Sequence, residues 1–213
     1  MTVHKLDQMS EAEGPLLREM FEARKRVFVD MLKWNVPVLA GTWELDHFDD
    51  EQATYIVIGD GRGGHLASAR LLKTTRPHLL DQLYPMLVEG EIPSGADTME
   101  ITRFCIDPRQ RAPERRQARD MLVSALAEHA LAAGITRYTG VAEIGWYNQI
   151  AAFGWDCSPL GTPMALDGRM LAAMVIAIDE HTPARLYATG VWAETGTNPG
   201  TPPPTFHRPE QRT

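Results

Sequence analysis

The sequence predicts an α/β (α+β) fold in which a mixed β-sheet is flanked by helices. Three observations support this prediction: strand segments rich in β-branched residues, helical segments with apolar residues spaced three and four apart, and the alternation of the two along the chain. The chain has 213 residues, 44% of them hydrophobic, so a single domain with a substantial core is expected.

The N-terminal part is predicted to contain a helix followed by an irregular substrate loop. Apolar residues recur at helical spacing over residues 11–32. Residues 34–50 instead contain Pro37, Gly41 and many acidic or aromatic residues, which favours a loop. A long loop inside a compact domain is often functional.

The rest of the folded part alternates strands and helices. Its longest helix has Pro113 in the first turn and Gly134 at the position of a C-terminal cap. In order, the predicted elements are a hairpin of strands 53–60 and 65–72, a short helix and a loop at 77–95, a strand at 98–107, a helix at 113–133, a strand at 135–142, a short helix at 147–153 and a strand at 170–178.

The domain is predicted to comprise residues 1–188, and residues 189–213 are predicted to be a disordered tail. The tail is rich in Pro, Thr and Gly and has little apolar surface to bury.

Composition and charge argue against several classes of protein. The 21 Lys and Arg residues against 28 Asp and Glu residues give a formal net charge of −7, which disfavours a nucleic-acid partner. The apolar stretches are too short for a membrane span, and the N-terminus lacks a signal-peptide core, so a cytoplasmic protein is expected. Cys105 and Cys157 are expected in the core, and the seven histidines show no metal-ligand spacing, so no metal is expected.

The first two candidate clusters lie in the N-terminal part. Arg24 and Phe28 share a helix face close to Trp34, where they could hold a substrate carboxylate beside an apolar or cationic group. The alternative is a surface arginine above a core phenylalanine. The run 44–50 contains four carboxylates, which fit either a solvated loop or a site for an organic cation. Its spacing does not match an EF-hand.

The third cluster lies in the strand at 98–107. In a regular strand Glu100 and Arg103 would face opposite sides of the sheet. A bulge between them would place both on one face, with Glu100 as general base and Arg103 orienting a carboxylate or the base. The alternative is a structural ion pair at the sheet edge.

A weaker signal is the basic start of the helix at 113–133. An anion such as a phosphopantetheine arm or an acidic carrier protein would suit these positive charges, and a solvated basic face is the alternative. The residues concerned are Arg109, Arg111, Arg115, Arg116 and Arg119.

Together these residues resemble the acyl-homoserine lactone synthase (autoinducer synthase) family over about residues 15–180. The phrases RKRVF, ELDHFDD, ARLLKTT and MEITRF carry the resemblance. Eight positions occur in the family's order and spacing: Arg24, Phe28, Trp34, Asp46, Asp49, Arg70, Glu100 and Arg103. The resemblance implies a fold similar to the GNAT acetyltransferases, with a V-shaped gap in the sheet for an acyl thioester.

The resemblance also implies an activity in quorum sensing. The amine of S-adenosylmethionine (SAM) is acylated from acyl-CoA or acyl carrier protein, and the product closes to a lactone with release of methylthioadenosine. SAM is a substrate in this reaction and no cofactor is implied. Glu100 and Arg103 are the expected catalytic residues. The expected SAM-binding residues are Arg24, Phe28, Trp34, Asp46, Asp49 and Arg70.

Asp46 and Asp49 are given two alternative roles. They either bind the substrate amine or tie Arg70 and Arg103 into a network that shapes the pocket.

The implied acyl pocket contains Tyr84, Phe104, Glu143 and Trp146. Some members have a threonine there that accompanies 3-oxo acyl chains, and the matching stretch 141–146 has none. Glu143 and Trp146 resemble the branch that uses CoA thioesters with short, branched or aryl acyl groups.

Two other functions stay open at this point. One is a GNAT-type N-acyltransferase that uses acyl-CoA, which the glycine-free stretch 110–114 argues against. The other is a non-catalytic protein that binds acyl thioesters.

Overall fold

A computed structural model describes residues 2–5 and 14–193 of the chain. Strands and helices alternate through most of this length. In chain order the elements are β1 (Thr2–Lys5), α1 (Gly14–Arg24), a π-helical segment (Lys25–Met31), β2 (Val38–Leu39), β3 (Trp43–Glu44), β4 (Thr54–Gly59), β5 (His65–Lys73), α2 (Leu79–Leu83), a 3₁₀ turn (Pro85–Leu87), β6 (Thr98–Ile106), α3 (Ala112–Ala133), β7 (Arg137–Glu143), α4 (Ile144–Ala151), β8 (Asp156–Pro159), β9 (Met164–Leu166), β10 (Arg169–Ala177) and α5 (Thr182–Ala188).

An eight-stranded sheet has the order β1–β4–β5–β6–β7–β10–β8, with β9 paired to β10. The strand pairs are antiparallel except β6 and β7, which run parallel. Apolar residues of α3 pack on one face of this sheet, and apolar residues of α1 pack on the other. The predicted mixed sheet flanked by helices is confirmed.

The predicted helices and strands occur with small shifts at their ends. The longest helix begins at Ala112, and Gly134 ends it with a left-handed φ of 69°. The short strands β1, β2, β3, β8 and β9 were not predicted. They are two to four residues long, too short for an alternating pattern to be visible in the sequence.

The helix predicted at 11–32 changes type within its length. It is α-helical up to Arg24 and π-helical from Lys25, and the wider turn is visible where Leu32 N–H donates to the Val27 carbonyl at 2.9 Å. Residues 11–13 of this prediction lie outside the described residues. A π-helical turn adds a residue to the helix and commonly marks a functional region.

The folded part continues beyond residue 188. Val191 is buried, Trp192 packs against the main core, and Ala193 N–H donates to Ser124 Oγ at 2.9 Å. The tail boundary predicted at residue 189 is therefore too early, because two apolar side chains at 191 and 192 still reach the core. Residues 194–213 lie outside the described part of the chain.

Two further predictions concern the burial of the cysteines and the presence of membrane-spanning segments. Cys105 is buried and Cys157 is half-buried, and neither forms a disulfide. Within residues 2–5 and 14–193, no helix combines the length and the apolar character needed to cross a membrane.

Candidate active site

The sheet opens between β6 and β7. Thr98–Ile101 of β6 pair with Arg137–Gly140 of β7, and the pairing stops there. Both strands continue further, β6 to Ile106 and β7 to Glu143. At the last pair, a side chain on Gly140 would place its Cβ 3.2 Å from the Ile101 carbonyl oxygen. Glycine at this position allows the strands to approach closely, and beyond it they separate into a V-shaped gap.

A cavity of about 440 Å³ occupies this gap. Residues from the ends of β6 and β7, from α4 and from the π-helical segment line it. One wall is a row of aromatic rings with successive centroids 5.4, 5.9 and 5.9 Å apart: Phe104, Trp146, Phe153 and Trp155. This wall is apolar and belongs to the face of the sheet that packs on α3.

A β-bulge places Arg103 on the opposite face. Between the pairs Ser68–Cys105 and Arg70–Thr102, β6 has one residue more than β5, and Arg103 within this bulge has a φ of 50°. Thr102 and Glu100 share a face by strand alternation, and the bulge turns Arg103 to the same side. The predicted bulge is therefore confirmed.

Arg24 is the first centre of a buried ion network on this face. Its Nε donates to Glu44 at 2.6 Å, and its Nη1 and Nη2 donate to Asp49 at 2.8 Å each. Tyr55 also donates its hydroxyl to Asp49, at 2.8 Å. The side chains of Arg24, Glu44 and Asp49 are all at most 1% exposed.

Arg70 and Arg103 extend the network through Asp46. Arg70 grips Asp46 with two hydrogen bonds of 2.6 and 3.0 Å, and its Nε donates to Thr102 Oγ1 at 2.9 Å. Arg103 Nη2 donates to Asp46 at 2.8 Å and to Glu44 at 2.9 Å. Three guanidiniums thus face three carboxylates, and the formal charges of the network balance.

The carboxylates of the network are held ionised. Burial alone would raise the pKa of Asp49, but Arg24 and Arg70 hold it well below its ordinary value. Burial also acts on Asp46, and Arg70 and Arg103 likewise lower its pKa. Asp46 and Asp49 therefore face arginine side chains.

Phe28 and Trp34 lie beside this network on the cavity wall. Their ring centroids are 4.8 Å apart. The Arg103 guanidinium lies 5.5 Å from the Phe28 ring and 5.9 Å from the Trp34 ring. Trp34 and Arg103 thus line one end of the cavity, and the ion network connects Arg24 and Asp46 to Arg103 from outside the lining.

Glu100 differs from the network carboxylates. It is fully buried, and its Oε2 accepts a hydrogen bond of 2.8 Å from Leu79 N–H. Its Oε1 has no hydrogen-bond partner among the residues that the structure describes. Burial raises the pKa of Glu100 to about 8. At neutral pH this carboxyl is therefore largely protonated in the unliganded chain.

Thr139 lies next to Glu100 across the parallel ladder. The two residues are register partners at the closed end of the gap, so their side chains share a face. Thr139 lines the cavity, it is fully buried, and within the described part of the chain its hydroxyl has no partner. Thr139 thus lines the apex of the cavity, and Glu100 lies beside it without being one of the lining side chains. Within the described residues both groups have unused hydrogen-bonding capacity.

The other residues predicted for the acyl pocket divide into three groups. Phe104 and Trp146 belong to the aromatic wall. Glu143 lines the cavity at its rim and is 42% exposed. Tyr84 packs in a neighbouring cluster with Leu80 and is not among the side chains that line the cavity.

The arginines at the basic start of α3 also differ in whether they are paired or exposed. Arg109 pairs with Asp107 at 2.7 Å, and Arg119 pairs with its neighbour Asp120. Arg115 is exposed and lines the cavity. Arg111, which directly precedes the helix, and Arg116, within its first turns, are both exposed.

Three residues of this site were not among the predicted site residues. Glu44 was visible in the acidic run, and Thr102 shares a strand face with Glu100, so both had a signal in the sequence. Thr139 had none, because a threonine in a strand is ordinary unless the strand register is known. The described residues contain no group of three or more His, Cys, Asp or Glu side chains arranged to hold a metal ion.

Residues 7–186 match the family described as autoinducer synthase. The chain belongs to this family. An acyl-homoserine-lactone synthase of Ralstonia nicotianae is 30% identical over 174 residues, which cover 78% of this chain and 84% of that protein. The curated members of the family are acyltransferases, and the family predicted from the sequence is confirmed.

Solved structures show the same relationship. The structure of TofI in complex with an inhibitor and MTA (methylthioadenosine) is 31% identical with a TM-score of 0.73, covering 87% of this chain and 95% of that one. The structure of BjaI, described as a CoA-dependent acyl-homoserine lactone synthase with SAM and isopentyl-CoA, is 26% identical with a TM-score of 0.71, covering 83% and 81%.

A Lactobacillus plantarum protein assigned as an N-acetyltransferase has a TM-score of 0.55 at 18% identity, covering 84% of this chain and 98% of that one. This likeness shows the fold alone, and it confirms the predicted GNAT-like architecture.

Proposed function

We propose that this chain transfers an acyl group from a thioester to the amine of SAM and closes the product to an acyl-homoserine lactone. The observation that carries the proposal is the shape and polarity of one cavity. Its apolar wall suits an acyl chain, its opposite end brings together aromatic rings and Arg103, and the buried Glu100 lies beside Thr139, which lines its apex.

The acyl donor enters the gap between β6 and β7. The acyl group lies along the aromatic wall, where stacked and edge-on rings favour a compact, branched or aryl group over a long flexible chain. Beyond Ile101 the facing backbone groups of the two strands no longer pair with each other. N–H groups of β6 are therefore our candidates for donors to the oxyanion of the tetrahedral intermediate.

The SAM substrate occupies the end of the cavity beside Phe28 and Trp34. Aromatic faces attract a sulfonium, and the carboxylates behind Arg103 moderate the positive potential there. All three arginines are engaged by protein carboxylates, but of the three Arg103 alone lines the cavity, so Arg103 is our candidate for the substrate carboxylate. Asp46 and Asp49 then act by holding the arginines in place.

Glu100 serves as the general base, directly or through a water. The amine nitrogen attacks the thioester carbonyl as Glu100 accepts its proton. Glu100 then returns this proton to the departing sulfur, and the thiol leaves as the amide forms. The substrate carboxylate oxygen then displaces methylthioadenosine from the γ-carbon and closes the ring. A raised pKa suits this role, because a base works best when its pKa lies near the working pH. The net positive charge of SAM lowers that pKa on binding and so favours the ionised base.

The donor is an acyl-CoA or an acyl carrier protein, both of which present the thioester on a phosphopantetheine arm. Arg115 stands where the start of α3 meets the cavity and is placed to contact that arm. Because SAM and both donors occur in the cytoplasm, we place the reaction there.

One assay tests the proposal. The chain is incubated with SAM and a panel of straight, branched and aryl acyl donors, each presented on CoA and on acyl carrier protein. Mass spectrometry then follows methylthioadenosine and the lactone. We expect both products in equal amounts with at least one donor.

The other outcomes distinguish the remaining functions. An acylated amine formed without methylthioadenosine would indicate an N-acyltransferase of the GNAT type. Ligand binding without turnover on any donor would indicate a binding protein. Either result would refute the proposed reaction.

A further inference from the structure

Arg169, the first residue of β10, contacts three residues that line the cavity. Its Nη2 donates to the Leu32 carbonyl at 2.8 Å, and its guanidinium lies 5.6 Å from the Trp34 ring centre. Its Nε lies 3.6 Å from Glu143 Oε1. Leu32 and Trp34 follow the π-helical segment, whereas Glu143 ends β7, so Arg169 bridges two parts of the cavity rim.

The backbone fixes where Arg169 points. Asp167 and Gly168 have φ values of 49° and 77°, as in the two-residue turns that join tight hairpins, and Arg169 follows this turn directly. Leu171 pairs with Glu143 on β7, and Arg169 shares the face of Leu171 by strand alternation. The guanidinium is therefore held on the same side of the sheet as the ion network.

Leu32 and Trp34 lie where the π-helical segment ends. The chain turns sharply at Lys33, which has a φ of 57°, and Trp34 N–H donates back to the Phe28 carbonyl at 2.8 Å. A cation that donates to the last carbonyls of a helix satisfies an otherwise open acceptor and complements the helix dipole. Arg169 does this at Leu32 and covers the Trp34 ring at the same time.

We propose that Arg169 is a positioning residue for the SAM end of the cavity. By fastening Leu32 and Trp34 to β10, it keeps Trp34 stacked on Phe28 where the sulfonium binds. This inference rests on the proposed function. The pairing with Glu143 contributes little, because both side chains are partly exposed and 3.6 Å apart. The aromatic wall for the acyl group lies on the other face of the sheet, so the acyl donor should bind almost unaffected.

The test compares Arg169→Met and Arg169→Lys with a matched control, Arg137→Met. Arg137 is also the first residue of a strand, partly exposed and loosely paired, with its Nη2 3.3 Å from Asp97. We expect Arg169→Met to raise the KM for SAM about tenfold, through the loss of one hydrogen bond and one cation–π contact, and to leave the KM for the acyl donor within about twofold. Arg169→Lys should recover part of this loss, because an ammonium reaches the carbonyl or the ring but does not serve both as a planar guanidinium does.

Calorimetric titration of SAM into each variant gives the same comparison without turnover. An unchanged KM and affinity for SAM in Arg169→Met, or equal rises in the KM of both substrates, would overturn the role of Arg169 while the wild-type activity stands. A wild-type chain that neither binds SAM nor forms a lactone would overturn the proposed function, and the role of Arg169 with it.

Discussion

Two sets of buried polar side chains lie on the same face of the sheet and differ in how far their hydrogen bonds are satisfied. In the ion network, Arg24, Arg70 and Arg103 are matched by three carboxylates at 2.6–3.0 Å. At the apex of the cavity, Thr139 Oγ1 and the neighbouring Glu100 Oε1 have no hydrogen-bond partner within the described residues. A satisfied network makes a rigid frame, whereas unsatisfied groups beside a cavity are available to a ligand.

This difference separates residues that belong to one sequence pattern. Asp46, Asp49 and Glu100 all belong to the pattern that carries the family resemblance. Arginines hold the pKa of Asp46 and Asp49 down, whereas burial raises the pKa of Glu100. The arginines therefore keep the first two carboxylates charged, whereas the third has a pKa close to neutral pH, as the proposed base requires.

The largest effect is expected when the satisfied network is broken. Asp49→Asn leaves the buried guanidinium of Arg24 without its bidentate partner, and the free energy of unfolding should fall by about 3–5 kcal/mol. Denaturation in urea measures the change. Asp50→Asn is the matched control, because Asp50 pairs with Arg76 on the surface, and it should cost about 1 kcal/mol or less. Equal losses in the two variants would contradict the account.

A second effect concerns the pH dependence of stability at Glu100. The folded pKa is about 8 and the ordinary value is 4.5, so between these pH values the folded chain holds a proton that the unfolded chain has released. The contribution of this carboxyl to the free energy of unfolding is therefore full below pH 4.5. It falls as the pH rises to 8, by at most about 1.4 kcal/mol per pH unit.

Glu100→Gln cannot ionise and should escape this loss. The free energy of unfolding of the variant should rise relative to that of the wild type as the pH is raised from about 5 to 8. Glu89→Gln is the control, because hydrogen bonds from Thr162 lower the pKa of Glu89, and this variant should not gain over the same range. A constant difference between Glu100→Gln and wild type at every pH would mean that Glu100 is not protonated in the folded chain.

The smallest expected effects are the changes in stability when two threonines that line the same cavity are replaced. Thr102→Val removes the acceptor of Arg70 Nε and should destabilise the chain by about 1–3 kcal/mol. Thr139→Val removes a hydroxyl that has no partner in the described structure, and stability should change by less than about 0.5 kcal/mol. Urea denaturation compares them, and a larger loss at Thr139 would show that its hydroxyl is in fact engaged.

The sequence predicts the frame of this site better than its apex. Eight positions were identified from their order and spacing, and the structure places Arg24, Asp46, Asp49, Arg70 and Arg103 in one network. The bulge at Arg103 was one of two readings of the charges in this apolar strand, and the strand register shows that it is present. Glu44, a partner of Arg24 in this network, was visible in the same acidic run but was not selected as a site residue.

Features that depend on distant pairing were not predictable. The significance of Thr139 comes from its register with Glu100, and the widening of the helix after Arg24 comes from hydrogen bonds that a periodic pattern does not record. The place of Tyr84 behind the cavity wall follows from the packing of α2, which a matched motif does not report. Long-range register and local helix type therefore had to be seen in the structure.

Turnover by Glu100→Gln tests the central claim most directly, because this variant removes the proposed base and keeps the shape of the side chain. Binding of SAM is measured by calorimetry, and the release of methylthioadenosine and lactone by mass spectrometry. We expect SAM affinity within about threefold of wild type and product release slower by about 10²–10⁴-fold. Product release at the wild-type rate, with SAM still bound, would contradict the assignment of Glu100 as the base of the reaction.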